Sequence, residues 1–283
     1  MTLHLLARPH HPAAPASATV WKMLFDRQQA LLHRWARPAY TQALAELGFR
    51  RDALPNQLAI SQLVQQRTGW TLLLTGAPVS EAAYYAALAR RELPVVSRLR
   101  SFSEFDQPPG GSDFFTDALG RVPLLLESGY ADALQQVGQA WELATTPAAA
   151  GLLRRFVRAT LELGLLAGPD GRPQLYGATL LTAPPALHTL AAADAAQFRP
   201  LAGVAQHLAL LGAPGVALAT EAPNYFVAQD WAELTAEVHQ LRHHLQAAQR
   251  PALGPHAALA PAALAHGRAR SFAARAAMLR QAG

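Results

Sequence analysis

The sequence predicts a mainly α-helical fold with a few short β-strands. Most segments carry apolar residues at helical spacing, while the compact apolar runs between them are too short for helices. Alanine and leucine dominate and 21 prolines are spread along the chain, which favours helices that are interrupted at prolines. With 283 residues, of which 51% are hydrophobic and 15% charged, the chain can bury a substantial core in one large domain or two small ones.

The first part of the chain predicts three helices and a strand. Residues 20–49 show helical periodicity that is interrupted at Pro38, which indicates two helices joined at the proline. Asn56 can cap a third helix that ends near Gly69. Residues 71–75 are a compact apolar strand candidate.

A fourth helix and a second strand follow. Ser80 can open the helix, in which Tyr84 and Tyr85 share a face; we interpret the two tyrosines as packing residues rather than as a ligand-stacking pair. Residues 94–99 form the second strand candidate, and residues 101–111, which are rich in Ser, Asp, Pro and Gly, are predicted to be a loop.

Residues 112–123 are predicted to be one short helix that ends abruptly. Two phenylalanines and a leucine give this segment an apolar side. Gly120 and Pro123 are of the types that end a helix and prevent it from resuming.

The remainder alternates helix and strand signals. Thr146 and Pro147 form a cap and first-position start, and Asp230 with Glu233 forms a capping-box-like start. The predicted helices are 130–141, 146–165, 185–192, 201–211 and 230–247, and the predicted strands are 174–181, 215–219 and 225–227.

Three regions are expected along the chain. Residues 1–18 resemble a flexible N-terminal arm, residues 19–247 the folded domain, and residues 248–283 an Ala/Pro/Arg-rich tail.

Composition limits the classes of function. The net charge is +5, but it comes from scattered arginines rather than a basic run interleaved with aromatics, so we expect no nucleic-acid partner. The absence of cysteine excludes disulfides, thiolate catalysis and cysteine-ligated metals. With no signal-peptide pattern and no apolar run of membrane-spanning length, we expect a cytoplasmic protein without a membrane partner, and a monomer by default.

Residues 112–123, Ser-Asp-Phe-Phe-Thr-Asp-Ala-Leu-Gly-Arg-Val-Pro, resemble the signature of the pterin-dependent aromatic amino acid hydroxylases, Pro-Asp-x-Phe-His-Asp-x-x-Gly-His-Val-Pro-Leu. Further landmarks follow the family's order and approximate spacing over residues 21–238, as in the bacterial phenylalanine 4-hydroxylases. They are 68–70, 88–91 with 94–95, 161–165, 176–178 and 225–227. The resemblance implies the family's fold, a helical basket with short strands around a central pocket.

The resemblance also implies an altered iron site. The family holds iron with two histidines from the signature helix and one glutamate from the following long helix. Here Glu162 matches the glutamate, but Thr116 and Arg121 stand at the histidine positions. Because an arginine guanidinium offers no lone pair and repels a cation, we expect no iron and no other metal at this site.

Other pocket positions differ as well. Arg100 stands where the family places the arginine that pairs with the substrate carboxylate, whereas Arg158 replaces a tryptophan of the substrate environment. The acidic pterin neighbour is matched by Gly111 or by nothing. The candidate ligand-binding residues are Arg100, Thr116, Arg121, Arg158 and Glu162, and Glu162 is the candidate catalytic residue.

Charge alone leaves two interpretations of this pocket open. Asp113 and Asp117 can balance the arginines in a structural salt-bridge network, or an excess of positive charge can attract a carboxylate or phosphate. On spacing alone, Arg158 and Glu162 form an ordinary surface ion pair on a helix. If the resemblance places Glu162 inside the protein, Arg158 or Arg121 would neutralise its carboxylate.

Several functions are compatible with these observations. We favour a divergent relative that has lost the iron and binds a small carboxylate, such as an aromatic amino acid or a derivative. The alternatives are metal-independent chemistry by Glu162 and the arginines, a pterin-dependent monooxygenase with a non-standard metal ligand such as His207, and a purely structural protein. No cofactor is expected, although the resemblance is compatible with tetrahydropterin. We interpret the helically spaced His239 and His243 as a solvated pair.

Overall fold

The computed structural model describes residues 15–211 and 224–249. Within them the predicted mainly helical class is confirmed, with short strands between the helices. The helices are α1 (Pro15–Leu32), α2 (Pro38–Glu46), α3 (Gln57–Thr68), α4 (Glu81–Ala89), α5 (Phe114–Arg121), α6 (Ser128–Ala140), α7 (Pro147–Val157), α8 (Ala178–Thr182), α9 (Pro184–Ala191), α10 (Val204–Leu211) and α11 (Trp231–Gln249). The strands are β1 (Thr71–Thr75), β2 (Glu92–Val96), β3 (Leu165–Ala167), β4 (Pro173–Leu175), β5 (Phe198–Pro200) and β6 (Tyr225–Ala228).

The strands form two small sheets. β1 and β2 pair in parallel, with Leu73 opposite Pro94, and α4 is the crossover between them. The second sheet has the order β4-β3-β6-β5, in which β4 pairs antiparallel with β3 and the other two pairings are parallel. The helices pack around these sheets in one hydrophobic core.

Capping confirms several of the predicted boundaries. The side chain of Asn56 accepts a hydrogen bond from the Ala59 amide at the start of α3, and Gly69 ends that helix with a left-handed φ of 72°. Ser80 caps α4 and Thr146 caps α7 in the same way. These residues have short side chains that satisfy free amides of the first helical turn.

Helix α5 is held by aromatic packing and a backbone contact. The ring of Trp21, which is fully buried, lies 6.0 Å from the ring of Phe114 and 5.7 Å from that of Phe115. The Tyr40 hydroxyl donates to the Leu119 carbonyl at 2.9 Å. These contacts fix the position of the helix and of the polar side chains on its other side.

The role predicted for Gly120 is wrong. Gly120 lies inside α5, and the chain continues through Val122 into a 3-10 helix at Pro123–Leu126. A Cβ at Gly120 would lie 3.2 Å from the Ala178 carbonyl, because α5 and α8 approach closely there. The close packing of α5 on α8 therefore favours glycine here, and the residue does not act as a helix stop.

Two other predicted elements are also corrected. The helix predicted over 146–165 ends as α-helix at Val157 and continues as a π-helical turn, Arg158–Glu162. The strand predicted over 174–181 is β4 followed by α8, because the Gly177 amide donates to the Gly164 carbonyl at 2.9 Å and turns the chain. The three-residue strands β3 and β5 were not predicted.

Some predictions concern residues outside the described ranges. Helix α1 begins at Pro15, so the last four residues of the predicted arm are helical. Residues 1–14, the strand predicted at 215–219 and the tail from residue 250 lie outside the described part of the chain. Among the residues that are described, no helix combines the length and apolarity needed to cross a bilayer.

Candidate functional site

A cavity of about 440 Å³ lies between α4, β2, α5, the π-helical turn and α8. Its size is typical of small-molecule sites. Aliphatic residues and two tyrosines form much of the wall, and polar groups converge on one side of it. The apolar and aromatic residues are Pro78, Val79, Tyr84, Tyr85, Pro94, Val96 and Ala178, and the polar ones include Ser112, Thr116, Asp117, Arg121, Glu162 and Thr179.

Helix α5 supplies three polar residues of the wall, Thr116, Asp117 and Arg121. Asp113 is its N-cap and accepts a hydrogen bond from the Thr116 amide at 3.0 Å. Asp117 and Arg121 are four residues apart and therefore lie on one face, where Arg121 Nη1 is 3.5 Å from Asp117 Oδ1.

Glu162 is the last residue of the π-helical turn and reaches the same cavity. The turn fits closely against the segment after β4, since a Cβ at Gly177 would lie 2.5 Å from the Glu162 carbonyl oxygen. A Cβ at Gly164 would likewise clash with the Thr160 carbonyl and the Tyr176 ring. Two glycines thus allow the close backbone packing that places Glu162.

The Glu162 carboxylate is bound through both of its oxygens. Arg121 Nη2 donates to Oε1 at 2.5 Å, and Thr179 Oγ1 donates to Oε2 at 2.6 Å. Burial raises the pKa of Glu162, but the charge of Arg121 and these hydrogen bonds outweigh it, so the pKa lies below its usual value. Glu162 is therefore a carboxylate at neutral pH.

Asp117 has the opposite shift. Burial raises its pKa, and the charge of Arg121 and the hydrogen bonds from Ser112 Oγ and the Val96 amide only partly offset this. The pKa of Asp117 is therefore above its usual value. Two carboxyl groups beside one arginine thus differ in proton affinity.

Arg100 does not line the cavity. Its Nε and Nη2 donate to both oxygens of Asp113 at 2.8 Å, and its Nη1 donates to the Phe105 carbonyl at 3.1 Å. Nη2 also donates to Thr116 Oγ1 at 2.8 Å, so Arg100 contacts the cavity wall only through Thr116. All three guanidinium nitrogens have protein acceptors.

Arg158 is also absent from the cavity wall, and its side chain is exposed. No ion pair joins Arg158 to Glu162 within the part of the chain that the structure describes. The helical pair suggested by their spacing is therefore not formed, because the turn between them is π-helical and Glu162 faces Arg121. The structure brings Thr116, Arg121 and Glu162 together but not Arg100 or Arg158.

Arg121 retains unused donors. Nη2 binds Glu162, whereas Nε and Nη1 have no hydrogen-bond acceptor among the described residues. Its guanidinium carbon lies 5.9 Å from the centroid of the Tyr84 ring. Burial lowers the pKa of Arg121, but the charge of Glu162 outweighs this and the pKa lies well above its usual value. Arg121 is thus a permanent cation at the wall.

Sequence reasoning overlooked three polar residues of the wall. Thr179 falls in the segment that was predicted to be strand. Ser112 stands at the proline position of the family signature, which suggested no hydrogen-bonding role for it. Tyr84 was interpreted as a packing residue, yet it lines the cavity beside Arg121. The landmark at 176–178 was the only signal that pointed toward Thr179.

None of the histidines in the described part of the chain lines this cavity. The ring of His207 is in α10, 6.3 Å from the ring of Phe226, and is not part of the cavity wall. Within residues 15–211 and 224–249, no group of three or more His, Asp or Glu residues is arranged to hold a metal. The described residues therefore do not place His207 as a substitute ligand.

Comparison with known proteins agrees with this architecture. Residues 13–255 match the model of the biopterin-dependent aromatic amino acid hydroxylases. Phenylalanine-4-hydroxylase of Ralstonia nicotianae is 31% identical over 179 residues, which are 62% of this chain and 56% of that protein. The enzyme of Vibrio cholerae is 33% identical over 167 residues, 58% of this chain and 56% of that protein. The chain thus matches a little over half the length of these curated relatives.

Solved structures give the same result. The phenylalanine hydroxylase of Chromobacterium violaceum with bound Fe(III) has a TM-score of 0.71 at 25% identity, and the match covers 87% of each chain. The structure of that enzyme with iron and 7,8-dihydrobiopterin has a TM-score of 0.70 at 26% identity, covering 86% of this chain and 87% of that one. The chain therefore belongs to the biopterin-dependent aromatic amino acid hydroxylase family.

Proposed function

We propose that this family member does not use iron at the Glu162 site and instead binds a small carboxylate, such as an aromatic amino acid or a derivative, in the cavity. The observation that carries the proposal is the 2.5 Å contact between Arg121 Nη2 and Glu162 Oε1. It joins the glutamate to the residue that stands at one of the family's histidine positions.

The donor set does not fit ferrous iron. The Thr116 hydroxyl accepts a hydrogen bond from Arg100 and donates one to Asp113, and it is at best a weak neutral ligand. Arg121 has no lone pair to offer and carries a positive charge that repels a metal ion. Glu162 alone would remain, and one carboxylate binds a divalent cation weakly in water.

Arg121 supplies the positive charge that a metal would supply. The Arg121 and Glu162 side chains are only 16% and 20% exposed, so an unpaired Glu162 carboxylate would carry a desolvation cost. The guanidinium offsets that cost through a charge-assisted hydrogen bond.

The unused donors of Arg121 support a carboxylate ligand. Glu162 occupies Nη2 and Nη1 lies 3.5 Å from Asp117 Oδ1, which leaves Nε and the weakly engaged Nη1 for an oxyanion. The carboxylates of the wall are already engaged, Asp117 by Ser112 and the Val96 amide, and Glu81 by Arg154. The aromatic and aliphatic part of the wall suits an apolar ligand body.

Calorimetric titration with phenylalanine and 3-phenylpropanoate tests the proposal. We expect saturable binding to the wild-type protein and a loss of about tenfold or more in R121Q, which keeps a polar side chain but lacks the charge. R158Q is the matched control, because it removes an arginine that lies off the cavity wall, and it should keep wild-type affinity.

An assay of phenylalanine hydroxylation distinguishes the enzymatic alternative from the proposed ligand-binding function. Hydroxylation of phenylalanine that depends on added iron and tetrahydropterin would contradict the proposal. Absence of binding by both carboxylates would remove the ligand-binding function.

A further inference from the structure

We infer that Tyr84 is a specificity-determining residue of the cavity, whose hydroxyl and the free donors of Arg121 together bind the two oxygens of the ligand's carboxylate. The inference rests on the proposed function, which it deepens by assigning a second binding residue. Its basis is a comparison of the hydrogen-bonding groups of the cavity wall that already have protein partners with those that have none.

The acceptors of the wall are engaged. Glu162 is held by Arg121 and Thr179, and Asp117 by Ser112 and the Val96 amide. The Thr116 hydroxyl lies between Arg100 and Asp113. A ligand that donates hydrogen bonds would therefore have to share acceptors that already bind protein donors.

The free groups near Arg121 are donors. Nε of Arg121 has no acceptor in the described part of the chain, and Nη1 has only the 3.5 Å ion pair with Asp117. The Tyr84 hydroxyl has no hydrogen-bond partner among the same residues. The Tyr84 hydroxyl is unpaired but not fully buried, and Tyr84 lines the cavity, so the hydroxyl is accessible to a ligand there. A carboxylate has two acceptor oxygens and matches this set of donors.

The aromatic contacts place the Tyr84 ring beside the guanidinium. The Tyr84 ring centroid is 5.9 Å from Arg121 Cζ, whereas the neighbouring Tyr85 ring is stacked on Trp141 at 4.9 Å. Burial raises the pKa of Tyr84, so the phenol stays protonated and can donate at neutral pH. Tyr84 thus differs from Tyr85 in facing the cavity cation.

Binding of 3-phenylpropanoate and of its neutral analogue 3-phenylpropanamide to Y84F tests the inference. A hydrogen bond between a phenol and a carboxylate predicts that Y84F binds the carboxylate about tenfold more weakly, while its affinity for the amide changes little. The preference for carboxylate over amide should therefore fall, and the melting temperature of Y84F should stay near that of the wild type.

Y176F is the matched control. The Tyr176 hydroxyl is buried without a partner in the described residues and does not line the cavity, so its removal should leave both affinities unchanged. If Y84F binds 3-phenylpropanoate with wild-type affinity, the role of Tyr84 is overturned while the proposed function still stands. Failure of the wild-type protein to bind both phenylalanine and 3-phenylpropanoate would overturn this inference together with the proposed function.

Discussion

Two arginine–carboxylate pairs, Arg100–Asp113 and Arg121–Glu162, differ in their surroundings. In the Arg100–Asp113 pair the side chains are 5% and 1% exposed, and every guanidinium nitrogen has a protein acceptor. In the Arg121–Glu162 pair the side chains border the cavity and Arg121 keeps free donors. The same chemistry thus forms a closed structural element in one pair and, in our proposal, a ligand-binding surface in the other.

Removing one partner of the closed pair should have the largest effect on stability. R100A leaves the buried Asp113 carboxylate without its main partner, and we expect a loss of about 3–5 kcal/mol in the free energy of unfolding. R121A should lose about 1–2 kcal/mol, since Glu162 keeps Thr179 and access to the cavity. Chemical denaturation of both variants measures the difference.

R98A is the surface control for these two variants. Arg98 pairs with Glu104 at an exposed site, so its removal should cost at most about 1 kcal/mol. An R100A protein no less stable than R121A would refute the distinction between the closed and the open pair.

The position of Glu162 can be disturbed from its backbone. A Cβ in G177A would lie 2.5 Å from the Glu162 carbonyl oxygen, so the π-helical turn must shift, at a cost of about 1–3 kcal/mol. In G151A, within α7, the nearest atom is the end of the Arg155 side chain at 3.4 Å. That variant should gain about 0.5–1 kcal/mol from the lower backbone entropy of the unfolded state.

Thermal or chemical unfolding distinguishes the two glycine variants. We expect opposite signs for G177A and G151A, together with weaker ligand binding in G177A only. Equal stability of G177A and the wild type would mean that the turn is not fixed by this contact.

The smallest effect is a pH dependence that differs between two aspartates of the signature segment. Burial raises the pKa of Asp113, but hydrogen bonds and the charge of Arg100 outweigh it and hold the pKa below its usual value near 3.8. Its stabilisation is present above that value and is lost as pH falls through the folded-state pKa. The pKa of Asp117 is raised, so its contribution is present below 3.8 and is lost as pH rises through the folded-state pKa.

Unfolding free energies of D113N and D117N between about pH 2 and pH 7 measure this contrast. Relative to the wild type, the deficit of D113N should grow as pH rises, and that of D117N should shrink. Parallel profiles for the two variants would contradict the assignment of opposite shifts.

Local signals in the sequence were sufficient for much of the fold. The caps at Asn56, Ser80 and Thr146 and the break at Pro38 act within a few residues, and the structure confirms them. The π-helical turn and the role of Gly120 depend on contacts with α8 and the segment before it, which are distant in sequence. Such backbone approaches leave no periodic pattern in the chain.

The site was predicted only in part for the same reason. The family resemblance identified Thr116, Arg121 and Glu162, which the structure brings together. Which of three arginines faces Glu162 depends on tertiary packing, and the spacing of Arg158 favoured the wrong partner. Asp113 and Asp117 were candidates for balancing the arginines, and their contacts show that Asp113 belongs to Arg100 and Asp117 to the cavity.

Metal analysis of protein purified from iron-supplemented cells tests the central claim most directly, with T116H/R121H as the comparison. The guanidinium at Glu162 predicts no stoichiometric iron in the wild type. In the double variant, two imidazoles and the carboxylate restore a set of ligands suited to ferrous iron, and iron binding should appear. One iron per wild-type chain, lost on removal of the Glu162 carboxylate in E162Q, would contradict the account.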